Sequence, residues 1–135
     1  ELCQKAYEDE QLVDVKVDAF IQDMAAAYEW ADFIVCRAGA LTVAEVATAG
    51  VGSLLIPFPF AIDDHQTKNG QWLVDAGAAI MIPQSELSPE ILATKLKTIL
   101  ADTQQLLEMA AKGRELAKPN ATARIADVCM EACSG

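Results

Sequence analysis

The run Cys36-Arg37-Ala38-Gly39-Ala40-Leu41-Thr42-Val43-Ala44-Glu45 holds the residues best placed to do chemistry in this chain. It follows the apolar stretch Phe33–Cys36, which reads as a buried strand, and it leads into a helix of about Leu41 to Ala49 that stops at Gly50. A turn of small residues therefore joins a strand end to a helix start, which is where open α/β sheets take ligands. The unpaired N–H groups and positive dipole end of a helix start suit a phosphate. Glu45, about one turn into the helix, offers a carboxylate to a ribose diol. Thr42 could equally be a helix cap, and Glu45 an ordinary first-turn acid favoured by the dipole.

A second strand-end loop follows Leu54-Leu55-Ile56. It reads Pro57-Phe58-Pro59-Phe60-Ala61-Ile62-Asp63-Asp64-His65-Gln66-Thr67-Lys68-Asn69 and is rich in groups that bond to hydroxyls. Gln66 and Asn69 lie one helical turn apart and share a face. One loop suits a nucleotide and the next a sugar, so together they point to a nucleotide-sugar site. His65 invites a general-base role because imidazole in general titrates near neutrality, but no carboxylate is fixed beside it by spacing. The pair Asp63-Asp64 alone is a weak metal signal. Arg37 either touches ligand or holds the turn by pairing with an acid.

The elements that position these loops alternate between strand and helix, which implies an α/β fold with a parallel sheet. A helix covers the start up to Glu10. Val13-Asp14-Val15-Lys16-Val17-Asp18 alternates apolar and polar, predicting a strand. A short helix is expected over Ile21 to Ala31, strands at Phe33–Cys36, Ser53–Pro57 and Ala78–Ile82, and a helix over Gln66 to Asp75 with Gly77 as terminator. The sheet so predicted has four strands. Ser88-Pro89-Glu90 reads as a cap, a first-turn proline and an early acid, opening a helix to Leu100. Asp102 to Gln105 resembles a capping box for a helix to about Ala117. Pro119-Asn120 breaks it, and a last helix spans Ala121 to Cys133. Trp30 and Trp72 read as packing residues.

Composition narrows the function classes. The chain has 135 residues, 53% of them hydrophobic, enough for one domain with a real core. Its net charge of −10, from 10 basic and 20 acidic residues, argues against nucleic-acid binding and against anionic membrane binding by this piece alone. No apolar run is long enough to span a bilayer. The start, Glu1-Leu2-Cys3-Gln4-Lys5, lacks both a Met and a signal-peptide pattern, and no G-x-G-x-x-G turn occurs. The expectation is a partial Rossmann-like unit, one piece of a longer chain that has lost its first strands. Cys3, Cys36, Cys129 and Cys133 read as reduced thiols. Cys129 and Cys133 are spaced i, i+4, but nothing supplies further metal ligands.

Three segments in order carry a family resemblance: Phe20-Ile21-Gln22-Asp23-Met24-Ala25-Ala26-Ala27-Tyr28, then Ala31-Asp32-Phe33 through Glu45, then Pro57 through Asn69. Over about Val17 to Thr122 the chain resembles the MurG family, which transfers N-acetylglucosamine from UDP-GlcNAc to lipid I and so makes lipid II for peptidoglycan. The resemblance implies the GT-B fold, two Rossmann-like domains facing a cleft. On this basis, residues 1–135 are expected to be part of the C-terminal, donor-binding domain. Ile21 then matches a position whose backbone contacts uracil. Ala40, Leu41, Thr42, Val43, Ala44 and Glu45 match the run around the nucleotide, with Thr42 near the phosphates and Glu45 on the ribose. Gln66 matches a sugar-contacting glutamine and Asn69 a position in the same helix start.

No catalytic residue is expected in this chain, because the family places its base in the other domain. Arg37 and His65 are the further candidates. No cofactor and no protein-held metal is implied. The implied partners are UDP-GlcNAc and, through the other domain, lipid I; membrane contact is implied only through a full-length protein on the cytoplasmic face of the bacterial inner membrane. Gly52 stands where proline is common and Gly70 where alanine is common. Two rival readings remain. One is a non-catalytic UDP-sugar-binding subunit recruited by a membrane partner, as in the eukaryotic transferase of dolichol-linked sugars. The other is another GT-B UDP-sugar enzyme, such as an epimerase or glycolipid synthase.

Overall fold

The computed structural model describes residues 2–60 and 64–133. Helix α1 (Leu2–Asp9) is followed by an extended segment, α2 (Met24–Trp30), β1 (Phe33–Cys36), α3 (Ala40–Ala49) and β2 (Gly52–Leu55). Then come α4 (His65–Asp75), β3 (Ala79–Met81), a short 3-10 turn, α5 (Pro89–Leu100), α6 (Thr103–Leu116) and α7 (Ala121–Cys133).

The strands form one parallel sheet of three, in the order β1-β2-β3. Phe33 faces Gly52 and Cys36 faces Leu55, while Ser53 faces Ala79. Each ladder runs one bond past its strand, through Ile56 N to Cys36 O and Ile82 N to Leu55 O. β2 is central and wholly buried, its polar Ser53 included, as the middle strand of a parallel sheet covered on both faces must be. Leu54, Leu55 and Leu73 are 0% exposed, and each such side chain contributes roughly 1.5–3 kcal/mol of transfer free energy.

Crossover helices α3 and α4 pack on one another, and α6 lies against α3 and β2. The contacts of α6 fall at the N-terminal ends of the strands. Met109 meets the Cα side of Gly52, and Gly113 approaches Ala47 and Ala78. A side chain on Gly52 would meet Met109 Cβ at 3.3 Å, so this departure from proline serves close helix–strand packing. Gly70 does the same for α4, where a methyl would meet Leu55, Met81 and Ala38 at 3.1 to 3.3 Å. With α6 closing one end, the C-terminal strand ends and their loops are left as the open face.

Local signals set the helix ends. Asp23 accepts from Ala26 N at 2.9 Å, Ser88 from Ile91 N at 3.2 Å and Asp102 from Gln105 N at 3.0 Å. Gly77, at φ +74°, ends α4 in a Schellman motif: Gly77 N donates to Val74 O and Ala78 N to Leu73 O.

Two expectations need correction. Residues 13–18 form no strand, so the sheet has three strands and not four. Their alternation gives a half-apolar ribbon, but no neighbouring strand offers it a ladder among the described residues, and Val13 is 90% exposed. The segment's one ion pair, Lys16 to Asp18 at 2.8 Å, is local. Trp30 is 86% exposed and is no packing residue; Trp72 is only partly covered. The loop residues Ala61, Ile62 and Asp63 lie outside the described residues, and with them the Asp63-Asp64 pair as a unit.

Candidate functional site

Helix α3 begins at Ala40, one residue earlier than its pattern suggests. Its N-cap is Gly39, which supplies no side-chain cap. Val43 N donates to Gly39 O at 2.9 Å, so the N–H groups of Ala40, Leu41 and Thr42 precede the first intrahelical bond. Thr42 is not the cap. Gly39 has ordinary backbone angles, and a side chain there would meet only Thr42 Oγ1 at 3.7 Å. Its small size therefore answers no internal packing need and leaves the helix start open to close approach.

The remaining α3 candidates divide by face. Val43 is buried in the core beside Val46 and Ala47, and its N–H is already spent on Gly39. Leu41, Ala44 and Glu45 are exposed. They line a groove of about 510 Å³ between α2 and α3, together with Met24 and Tyr28. Tyr28 OH donates to Glu45 Oε2 at 2.8 Å. Burial, and then the Glu45 carboxylate, push the Tyr28 hydroxyl up to about 12, so it stays a proton donor at any physiological pH. Ile21 does not share this groove. It lines another, of about 730 Å³, with Phe20 and Trp30 on the other side of α2.

The second loop is tied to the first by side chains. Arg37 Nη1 donates to Ile56 O and Pro57 O, each at 3.2 Å, and its guanidinium lies 5.6 Å from the Phe58 ring centroid. Arg37 thus holds a turn, as one of its two readings had it, but through carbonyls and an aromatic face and not through an acid. Gln66 Oε1 accepts from Phe58 N at 2.9 Å. Asn69 Nδ2 donates to Ala38 O at 3.4 Å, reaching back to the α3 turn. His65 is exposed at the first position of α4, behind Asp64 at φ 55°.

The structure therefore brings Arg37, Gln66 and Asn69 into one brace joining the two strand-end loops, with the open start of α3 beside it. Three partners were missed by reasoning from sequence: Tyr28 for Glu45, Phe58 N for Gln66 and Ala38 O for Asn69. They lie 17, 8 and 31 residues from the groups they bind, beyond any local spacing rule. Among the described residues no three His, Cys, Asp or Glu side chains cluster as metal ligands. All four cysteines are free, and burial pushes the Cys36 thiol up to about 11.

A parallel sheet whose strand-end loops brace an uncapped helix start, with helices on its faces, is the architecture of a GT-B-type Rossmann-like C-terminal domain. Comparison with known proteins gives the family. The family model for the glycosyltransferase family 28 C-terminal domain matches residues 1–125. The UDP-N-acetylglucosamine--N-acetylmuramyl-(pentapeptide) pyrophosphoryl-undecaprenol N-acetylglucosamine transferase of Marinobacter nauticus is 54% identical over 135 residues, which are 100% of this chain and 37% of that protein. The protein of the same name from Dechloromonas aromatica is 56% identical over 113 residues, 84% of this chain and 31% of that protein. The crystal structure of Acinetobacter baumannii MurG superposes with a TM-score of 0.82 at 48% identity, covering 95% of this chain and 39% of that one. The chain belongs to the glycosyltransferase family 28 C-terminal domain family and matches its MurG members. It spans between 31% and 39% of the length of these relatives.

Proposed function

We propose that this chain is the UDP-GlcNAc-binding half of an inverting glycosyltransferase that passes GlcNAc to lipid I and yields lipid II for peptidoglycan. The observation that carries the reading is the open N-terminus of α3 at the strand ends, with Glu45 one turn along it. The names of the relatives supply the donor and acceptor.

In this reading the N–H groups of Ala40, Leu41 and Thr42 face the diphosphate. Glu45 accepts from the ribose diol and Gln66 donates to the sugar; Ile21, in the separate groove across α2, is not assigned a contact with the same nucleoside. The acceptor hydroxyl oxygen attacks the anomeric carbon while the bond from that carbon to the β-phosphate oxygen breaks. The hydroxyl proton passes to a base in the other domain, and UDP leaves with the bonding electron pair. Charge then grows on the β-phosphate, where fixed N–H dipoles lower the barrier. No step needs a metal held by this chain. No described helix is long and apolar enough to cross a membrane. We place the complete protein peripherally, on the cytoplasmic face of the bacterial inner membrane, with the acidic donor half turned away from anionic lipid.

Glu45→Ala tests the reading. Loss of a hydrogen bond to a charged group costs about 1.5–3 kcal/mol, so the donor KM of the complete enzyme should rise roughly tenfold or more. Alanine is the better helix former, so α3 should persist. Unchanged donor kinetics in a folded variant would remove the ribose role. The 135-residue chain alone, given UDP-GlcNAc and a lipid I analogue, should release no UDP above background.

A further inference from the structure

We infer that Tyr28 is a positioning residue for the nucleotide: its hydroxyl fixes the Glu45 carboxylate in the orientation that receives the ribose diol. The inference rests on the reading of Glu45 given above and adds to it a residue on a different helix.

Glu45 sits on the exposed face of α3. An unrestrained glutamate there samples several rotamers, and a ligand that needs one of them must order it on binding. Tyr28 removes that freedom beforehand. Its ring packs against the core cluster beneath α3, and a tyrosine has only two side-chain torsions to fix. The helix bearing it is itself held, since Asp23 caps its start and Ala31 N closes its end on Ala27 O. A half-buried ring thus delivers one O–H to one carboxylate oxygen, at 2.8 Å.

The consequence lies in which atoms remain. Oε2 carries the tyrosine bond, and among the described residues Oε1 has no side-chain partner. A carboxylate accepts at several lone-pair sites across its two oxygens, so Oε1 and the second lone pair of Oε2 can take two adjacent hydroxyls. A cis diol offers two O–H donors at that spacing. The groove lined by Tyr28, Leu41, Ala44 and Glu45 has room for such a ligand at about 510 Å³. The raised titration of Tyr28 keeps the donor protonated, so the arrangement does not switch off within the working pH range.

The test uses the complete enzyme, with UDP and 2′,3′-dideoxy-UDP as probes, in the wild type, Tyr28→Phe, Glu45→Ala and the double variant. Tyr28→Phe keeps the ring and its packing, and a thermal midpoint near that of wild type checks this. The expected result is a three- to tenfold weaker UDP affinity in Tyr28→Phe, a matching rise in donor KM and an unchanged kcat. The dideoxy nucleotide should bind Tyr28→Phe and wild type alike, and Tyr28→Phe should have no effect in the Glu45→Ala background. Equal weakening of both nucleotides would mean that Tyr28 only supports the fold, and would overturn the inference. Full UDP affinity in Tyr28→Phe, with clear loss in Glu45→Ala, would overturn it while leaving the ribose role of Glu45 intact. If Glu45→Ala itself fails to discriminate UDP from its dideoxy form, the ribose role falls and the inference falls with it.

Discussion

The side-chain amide of Gln66 divides its work, and two substitutions can separate the halves. Its Oε1 accepts from Phe58 N at 2.9 Å and so ties the loop after β2 to the start of α4. The NH2 group is what remains for a sugar. It offers donors only, so in the proposed reading those N–H groups meet hydroxyl oxygens, and the second lone pair of Oε1 is the one acceptor site left over. Gln66→Glu keeps an acceptor for Phe58 and removes the donors, whereas Gln66→Ala removes both.

A typical hydrogen bond contributes about 0.5–1.5 kcal/mol net, or roughly 2- to 13-fold in an equilibrium or rate ratio. Gln66→Glu should therefore lower kcat/KM for UDP-GlcNAc by about that factor, or more where the new carboxylate also repels the diphosphate. GlcNAc and GalNAc differ only at the 4-hydroxyl, and a site built to pair a hydroxyl rejects its mismatch. The preference for UDP-GlcNAc over UDP-GalNAc should narrow by a similar factor in both variants. Gln66→Ala should lose a further several-fold in turnover, because the loop tie goes too. UDP affinity of Gln66→Ala should stay within about twofold of wild type, since the α3 start and Glu45 are untouched. The assay is kcat/KM with each donor, together with a UDP titration. If Gln66→Glu keeps the full donor preference while Gln66→Ala loses turnover, the amide is a loop tie and its sugar role is wrong. Collapse of UDP affinity in Gln66→Ala would instead place Gln66 in support of the nucleotide turn.

Three further predictions concern stability and cysteine chemistry. Gly77→Ala forces a left-handed conformation at φ +74° that costs about 1–2 kcal/mol, more than the stiffer unfolded chain returns at such a position; the thermal midpoint should drop by roughly 2–8 °C, and an unchanged midpoint would count against the Schellman cap. The raised titrations of Cys36, to about 11, and Tyr28, to about 12, both favour the protonated native state, from ordinary values of 9.0 and 10.0. Their stabilisation is complete below the ordinary values and is lost as pH climbs through the raised ones. The melting temperature should fall between pH 9 and 12 and fall less steeply in a Cys36→Ala, Tyr28→Phe double variant, and equal slopes would refute the assignment. At pH 8, iodoacetamide should label the exposed Cys3, Cys129 and Cys133 well before Cys36, as peptide mass spectrometry can follow.

Much of the fold was legible because its signals are short. The caps at Ser88 and Asp102 each need one side chain and an N–H three residues on. The Gly77 terminator needs one left-handed residue. Phe33–Cys36 needed only a compact apolar run with a turn after it. Residues 13–18 had an equally clear alternation and formed no strand, because a strand is completed by a neighbour and alternation does not say whether one exists. The site divides along the same line. Sequence could mark Glu45, Gln66 and Asn69 as groups able to meet hydroxyls, since that depends on side-chain type and helix phase. It could not tell which of their atoms were already engaged. Tyr28 takes one oxygen of Glu45, Phe58 N takes the Gln66 carbonyl, and Ala38 O takes an Asn69 N–H. Those bonds decide what the site can still offer: a carboxylate oxygen for a diol, amide donors for a sugar, and the free N–H groups of α3 for a phosphate. In the proposed reading, donor selection therefore rests on internal hydrogen bonds as much as on the residues that face the ligand, and a substitution at Tyr28 or Arg37, which the proposed contacts leave out, alters specificity by releasing an atom that the fold now holds.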